Sequence, residues 1–203
     1  MRVQLDAADL RGKLGRRPRQ QFRLDGFRES AVLVPLVVEP GAQARLLFTV
    51  RRADMTTHAG QISFPGGKRD AGDVDLPACA IREASEELGI APASVEVLGL
   101  LDDVPTPSGF IITPVVALVR GPLTLTPSEH EVAAVFTCEL DELARPHRYV
   151  DAGTRSFLGV SYAMHEYHWE EHRIWGATAR IVFQLLEQLA ARDSATATDE
   201  KTE

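Results

Sequence analysis

The sequence has little with which to cross-link itself or enter a membrane. Two cysteines, Cys79 and Cys138, occur in 203 residues. That is too few for a disulfide framework, and a chain of this length buries a full core without one. The richest apolar run, Ala31–Val38, is interrupted by Pro35, whereas a membrane span needs about 20 apolar residues. Asp6, Asp9 and Arg11 fall where the apolar stretch of a signal peptide would run. No internal repeat is visible. These absences point to a cytoplasmic protein with no membrane partner.

What is present is a globular balance, 44% hydrophobic and 25% charged residues. Acidic residues outnumber basic ones 29 to 22, a net charge of −7, which argues against nucleic-acid binding by the surface as a whole. Residues 1–30 run the other way. Eight basic and four acidic side chains give that segment +4 and leave −11 for the rest. A basic arm beside an acidic body could meet an anionic ligand or RNA, although a solvated helix and loop account for the same charges. We expect a small-molecule substrate, no nucleic-acid partner, and a possible homodimer.

The patterning predicts a short helix over Asp6–Leu14 and a hairpin of Ala31–Val38 with Ala44–Val50 about Glu39-Pro40-Gly41. A short strand, Gln61–Phe64, leads to Pro65-Gly66-Gly67 and a polar loop, Asp70–Asp75. Asp75 as N-cap, Pro77 in the first turn and Gly89 as stop bracket a helix over Leu76–Leu88. Strands follow at Val95–Leu101, Thr113–Val119 and Ala133–Thr137, with a loop at Asp102–Phe110. Phe157–Tyr162 and Tyr167–Trp169 are expected to pair. Ile181, Val182, Leu185, Leu186 and Leu189 share one face of a helix over Ala177–Ala191. Strands and helices mix without βαβ alternation, so the class is α+β. We divide the chain into a basic extension (1–30), a domain (31–191) and a disordered tail (192–203).

The chemistry is concentrated in the helix after the glycine pair. At 100° per residue Glu83, Glu86 and Glu87 occupy an arc of about 100°, while Pro77, Ile81, Ala84 and Leu88 form the stripe expected to be buried. Arg82 stands one turn before Glu86 and can orient it. Three clustered carboxylates repel one another, and a hard divalent cation reverses that sign. The alternative is a solvated acidic face. Gly66 and Gly67 permit close backbone approach to a phosphate, or simply a turn.

Gly67–Ile90 resembles the Nudix box. Arg82-Glu83-Ala84-Ser85-Glu86-Glu87-Leu88-Gly89-Ile90 fits its second half at every defined position. Val74 stands where the box usually has a glutamate, and Gly67 to Arg82 is one residue longer than usual; Asp73 or Asp75 could replace that glutamate. Leu46–Arg51 followed by His58-Ala59-Gly60-Gln61-Ile62-Ser63-Phe64-Pro65-Gly66-Gly67 is similar to the segment upstream of the box in coenzyme A pyrophosphatases. Leu101-Asp102, Thr106-Pro107-Ser108-Gly109, Thr113–Val116 and Ile174–Ala179 resemble later segments of that branch. Met55-Thr56 stands where the upstream signature usually carries a basic residue.

The resemblance implies a Nudix-type α/β/α sandwich with a mixed sheet. It also implies Mg²⁺- or Mn²⁺-dependent attack of water on the pyrophosphate of coenzyme A, giving 3′,5′-ADP and 4′-phosphopantetheine. Carried over, Glu83, Glu86 and Glu87 are metal ligands and catalytic residues with Arg82. Gly66, Gly67, Arg51, Arg52, His58 and Ser108 are the substrate-binding candidates, with Arg51 and Arg52 the nearest upstream cations for a 3′-phosphate. A box glutamate, Glu129 or Glu131 could take the proton of water. Two alternatives stand beside this. One is a Nudix enzyme acting on ADP-ribose or NADH; the other is a silent module that binds nucleotide or RNA. His165, His168 and His172 would converge on zinc only on a helix, and their segment reads as strand and turn. Trp169, Trp175, Tyr162 and Phe110 could stack on adenine or pack in the core.

Overall fold

The computed structural model describes residues 5–53 and 60–191. Its elements run α1 (Ala7–Arg16), β1 (Arg28–Val38), β2 (Arg45–Arg51), β3 (Ile62–Ser63), β4 (Gly66–Lys68), α2 (Leu76–Leu88), β5 (Val95–Leu100), β6 (Val104–Pro105), β7 (Phe110–Arg120), β8 (Val132–Glu139), α3 (Leu140–Leu143), β9 (Tyr149–Phe157), β10 (Val160–Trp169), β11 (His172–Trp175) and α4 (Gly176–Ala190). His58 and the Met55-Thr56 position lie outside the described residues, as does the expected tail.

The main sheet has the order β3-β2-β1-β7-β5, with β4 also on β1, β6 on β7 and β8 on β2. β1 and β7 are parallel from Arg28↔Phe110 to Val38↔Arg120, and the other pairings are antiparallel, so the sheet is mixed. β1 and β7 are covered on both faces and therefore read as almost unbroken apolar runs. Pro35 is tolerated in β1 because it falls where the strand passes from one antiparallel partner to the other: Ser30–Val32 pair with β4, and Leu36-Val37 pair with β2.

Two apolar layers flank the sheet. Leu10 and Leu14 of α1 join Val34, Leu36, Phe48 and the α4 residues Ile181, Val182 and Leu185 on one side. Cys79, Ala80, Ala84 and Leu88 of α2 pack on Ala31, Leu33, Leu47 and Val115 on the other. The result is the expected α+β sandwich of helix, sheet and helix. Among the described residues no helix is long and apolar enough to cross a membrane.

Three expectations change. The predicted pairing of Phe157–Tyr162 with Tyr167–Trp169 is replaced by a three-stranded sheet, order β11-β10-β9. Phe157 and Val160 pair across the turn at Leu158-Gly159, and Tyr167–Trp169 pair with β11. The loop over Asp102–Phe110 contains β6, which pairs with the start of β7. The basic segment forms the expected helix, α1, but that helix is not simply solvated. Leu10 and Leu14 are buried, and β1 already begins at Arg28.

Candidate active site

The site is assembled by three short pieces of chain: α2, the glycine pair of β4, and the end of β2 with the turn before β8. The boundaries of α2 are those set by its local chemistry. Asp75 caps it, its carboxylate accepting from the Ala78 amide at 2.7 Å. Gly89 ends it in the left-handed conformation at φ 70°, where a side chain would be strained.

The buried face of α2 is rotated from the stripe expected. It comprises Cys79, Ala80, Ala84, Glu87 and Leu88, with Pro77 and Ile81 only partly covered. Small residues at Cys79 and Ala80 let the helix lie close to β4, and this carries Glu87 into the interior. The three glutamates consequently differ. The Glu86 side chain is 60% exposed and that of Glu83 16%, whereas Glu87 is buried.

β4 is glycine at both positions for steric reasons. A Cβ on Gly67 would stand 2.6 Å from the Glu83 carboxylate, and one on Gly66 would stand 2.4 Å from the Ala31 carbonyl oxygen. Gly67 is therefore the floor of a cradle for Glu83, and the Gly66 amide donates to Glu87.

Arg82 organises the helix. Its Nε and Nη2 donate to the two oxygens of Asp73 at 2.9 and 3.0 Å, a bidentate pair. Its Nη1 lies 2.9 Å from both Glu83 and Glu86, and Nη2 also donates to the Lys68 carbonyl. Of the two aspartates weighed as replacements for the missing box glutamate, Asp73 thus pairs with the arginine, while Asp75 is spent on the cap. Val74, at the formal box position, is 85% exposed. Arg82 holds the Asp73 carboxyl well below the usual carboxylate range.

The electrostatics are those of uncompensated negative charge. Burial pushes Glu87 up to about 8, with Glu131 and Glu83 adding repulsion against the attraction of Arg51. Glu83 is also raised, chiefly by burial, with contributions from Glu86 and Glu131 opposed by Arg82. Glu131, weighed from the sequence as a base, belongs to this acidic group. Glu129 is exposed, and its carbonyl accepts from Arg52 at 2.8 Å. Oxygen donors in excess of nearby positive charge fit a hard divalent cation. Among the described residues no three His, Cys, Asp or Glu side chains already stand in a metal-holding arrangement; Glu86 is turned toward Arg82.

The other candidates separate. Arg51 faces Glu87, and its Nε is buried without a hydrogen-bond partner. Ser108 is exposed, its hydroxyl 3.0 Å from that of Thr106. The three histidines go to different partners: His165 stacks on Phe183, His172 on Phe136, and His168 lies 2.7 Å from Glu166. Trp169 lies beneath Arg148 and Phe110 beneath Arg28. Cys79 and Cys138 are buried and free, and burial raises both thiols. Sequence reasoning missed the burial of Glu87. The signal was present: on the wheel Cys79 and Ala80 flank it, which places it near the centre of an arc of small and apolar residues.

Comparison with known proteins agrees with this geometry. The NUDIX domain family matches residues 27–159. A protein of Citrobacter koseri, named as an uncharacterized Nudix hydrolase NudL, is 42% identical over 167 residues, covering 81% of this chain and 84% of the relative. Its namesake in Photorhabdus laumondii is 38% identical over 167 residues, covering 81% and 87%. The crystal structure of a MutT/nudix family protein from Enterococcus faecalis superposes with a TM-score of 0.54 at 16% identity, covering 91% of this chain and 74% of that one, a likeness of fold.

Proposed function

Because the chain belongs to the Nudix hydrolase family, whose members act on phosphorus anhydrides, we propose that its substrate is coenzyme A or a derivative, hydrolysed at the pyrophosphate bond with Mg²⁺ or Mn²⁺. The observation that carries the chemistry is the mutually repelling carboxylate group of buried Glu87, half-buried Glu83 and exposed Glu131, the first two set against the glycines of β4. Support for the substrate comes from Leu46–Arg51, Gln61–Gly67 and Thr106–Gly109, which resemble the coenzyme A branch.

Glu83, Glu86 and Glu87 would hold the cation, which supplies charge neutralisation on the phosphates and a more acidic water. Arg82, fixed by Asp73, holds Glu83 and Glu86 in register. The missing side chains of Gly66 and Gly67 let β1 and the Glu83 carboxylate pack directly against β4. Glu131, exposed at the rim, would take the proton of the attacking water. Arg51 supplies positive charge near Glu87. A silent binding module would have no use for three repelling carboxylates.

Incubation with coenzyme A, ADP-ribose and NADH in the presence of Mg²⁺, with product analysis, tests the assignment. The expected products from coenzyme A are 3′,5′-ADP and 4′-phosphopantetheine, and a preference for ADP-ribose would overturn the substrate. Glu86→Gln or Glu87→Gln should lower kcat by about 10²-fold or more with folding intact, since metal-based stabilisation of charge is worth several kcal/mol. Near-normal turnover at saturating Mg²⁺ would remove that residue from the ligand set.

A further inference from the structure

Glu131 does not belong to the glutamate helix, yet its carboxylate is close enough to Glu83 and Glu87 to repel both. Two sets of contacts hold its turn there. The first is made by the end of α2, whose last carbonyls have no partner within the helix. The Ser128 amide donates to the Glu87 carbonyl at 2.8 Å, and the Thr126 amide to that of Leu88 at 2.9 Å. Gly89 permits this approach, because a Cβ there would run into the Thr126 hydroxyl. The turn is then closed on itself: the Glu131 and Val132 amides both donate to the Ser128 carbonyl, at 3.1 and 2.9 Å.

The second grip is Arg52. Its Nη1 donates to the Glu129 carbonyl at 2.8 Å, and its backbone amide donates to the Glu131 carbonyl at 3.2 Å. One residue thus holds the turn on both sides of His130. β2 and β8 reach this arrangement through a bulge. Val50 is opposite Ala134 but Arg51 is opposite Val132, so Ala133 is the extra residue. A bulge re-aims the side chains beyond it. Here Arg51 comes to lie near Glu87, and the next residue, Arg52, meets the Glu129–Glu131 backbone. The two adjacent cations, considered together for a substrate phosphate, therefore have separate tasks.

We propose that Arg52 is a positioning residue: by holding the Glu129 and Glu131 carbonyls it fixes the turn against the end of α2 and so aims the Glu131 carboxylate at the reacting water. The proposal rests on the assignment of Glu131 as proton acceptor, and its test separates the two. kcat and KM are measured at saturating Mg²⁺ for wild type, Arg52→Ala, Glu131→Gln and the double variant. The substrate is whichever of coenzyme A, ADP-ribose and NADH wild type cleaves best. Glu131→Gln is expected to lower kcat by about 10²-fold or more, the scale of general-base catalysis. Arg52→Ala should lower kcat by about tenfold or more with KM within about twofold, the effect of a reacting group misplaced by a fraction of about 1 Å. In the Glu131→Gln background Arg52→Ala should cost less than about twofold, because the two act as one unit. Amide hydrogen exchange gives a readout independent of turnover. Ser128, Glu131 and Val132 should exchange about tenfold faster or more in Arg52→Ala, with Ile181, Val182 and Leu185 of α4 unchanged.

Losses that multiply in the double variant would show that Arg52 acts without Glu131, and an unchanged kcat with a raised KM would return Arg52 to the substrate; either overturns the proposal. So does unchanged exchange in the turn, or a loss of protection that extends to α4, which would make Arg52 a support of the whole fold. Near-normal kcat in Glu131→Gln is the failure of the earlier reading, and the proposal falls with it. If wild type cleaves none of the three compounds, the substrate assignment fails by itself, and exchange in the turn alone decides whether Arg52 holds it.

Discussion

Two neighbouring aspartates show how much a side chain's role depends on its partner. Asp73 is buried and bidentate to Arg82; Asp75 is a cap. Removing Asp73 leaves Arg82 without its main acceptor and releases its grip on two glutamates. Asp73→Ala should therefore destabilise by about 3 kcal/mol and lower kcat. Asp75→Ala should cost about 1 kcal/mol, the usual value of an N-cap, with kcat nearly unchanged. Urea titration and steady-state kinetics of both variants check this; equal effects would remove the distinction. Glu87 gives a second residue-scale prediction. Its folded pKa lies near 8, above the ordinary value of 4.5, so between those values the folded state binds more protons than the unfolded one. Stability without metal should then fall as pH rises from about 4.5 to 8, at up to 1.4 kcal/mol per pH unit. Glu87→Gln should flatten that slope and leave the metal-free protein as stable or more so. A large fall in its metal-free Tm at pH 8 would contradict the buried charge.

At the scale of elements, local signals were legible in the sequence and cross-chain ones were not. α2 has the predicted limits because Asp75, Pro77 and Gly89 act within a turn of the chain. The β1–β2 hairpin and α4 follow for similar reasons. The electrostatic setting of Glu87 depends instead on Gly66, Arg51 and Glu131, brought in from three other places in the chain. Likewise β9–β11 form by pairing whose register no short window reveals. β4 shows the consequence most directly, since its two glycines fail differently when replaced. Gly66→Ala would drive a methyl into the backbone of β1, which cannot give way, and should cost several kcal/mol of stability. Gly67→Ala meets only the end of the Glu83 side chain. It should keep the fold and displace the carboxylate, with kcat down by tenfold or more. Circular dichroism melts beside kinetics distinguish the two; unfolding by Gly67→Ala, or full activity in it, would refute the cradle.

For the molecule as a whole, the first 30 residues are the part whose charge pattern was most misleading. Read as composition, they are a basic arm or a solvated helix and loop. In the fold three of their cations pair with the acidic body: Arg11 with Glu96 at 2.5 Å, Arg17 with Asp102 at 2.9 Å, and Arg19 with Asp103. Asp103 is buried and also accepts from the Thr113 hydroxyl and the Phe22 amide. Leu14 lies so close to β5 that a Cβ on Gly99 would come within 2.6 Å of it. Deletion of Met1–Arg19 therefore removes two buried leucines and strands a buried carboxylate. The leucines alone are worth about 5 kcal/mol or more, which at this chain length lowers Tm by more than about 10 °C. Arg19→Ala isolates the ionic part. It should cost about 3 kcal/mol by orphaning Asp103, and the double variant Arg19→Ala/Asp103→Ala should be less damaged than the sum of the singles, since it removes the unpaired charge. Strict additivity in that cycle, or a truncated chain that unfolds at the wild-type urea midpoint, would show that the N-terminal segment rests on the domain without supporting it.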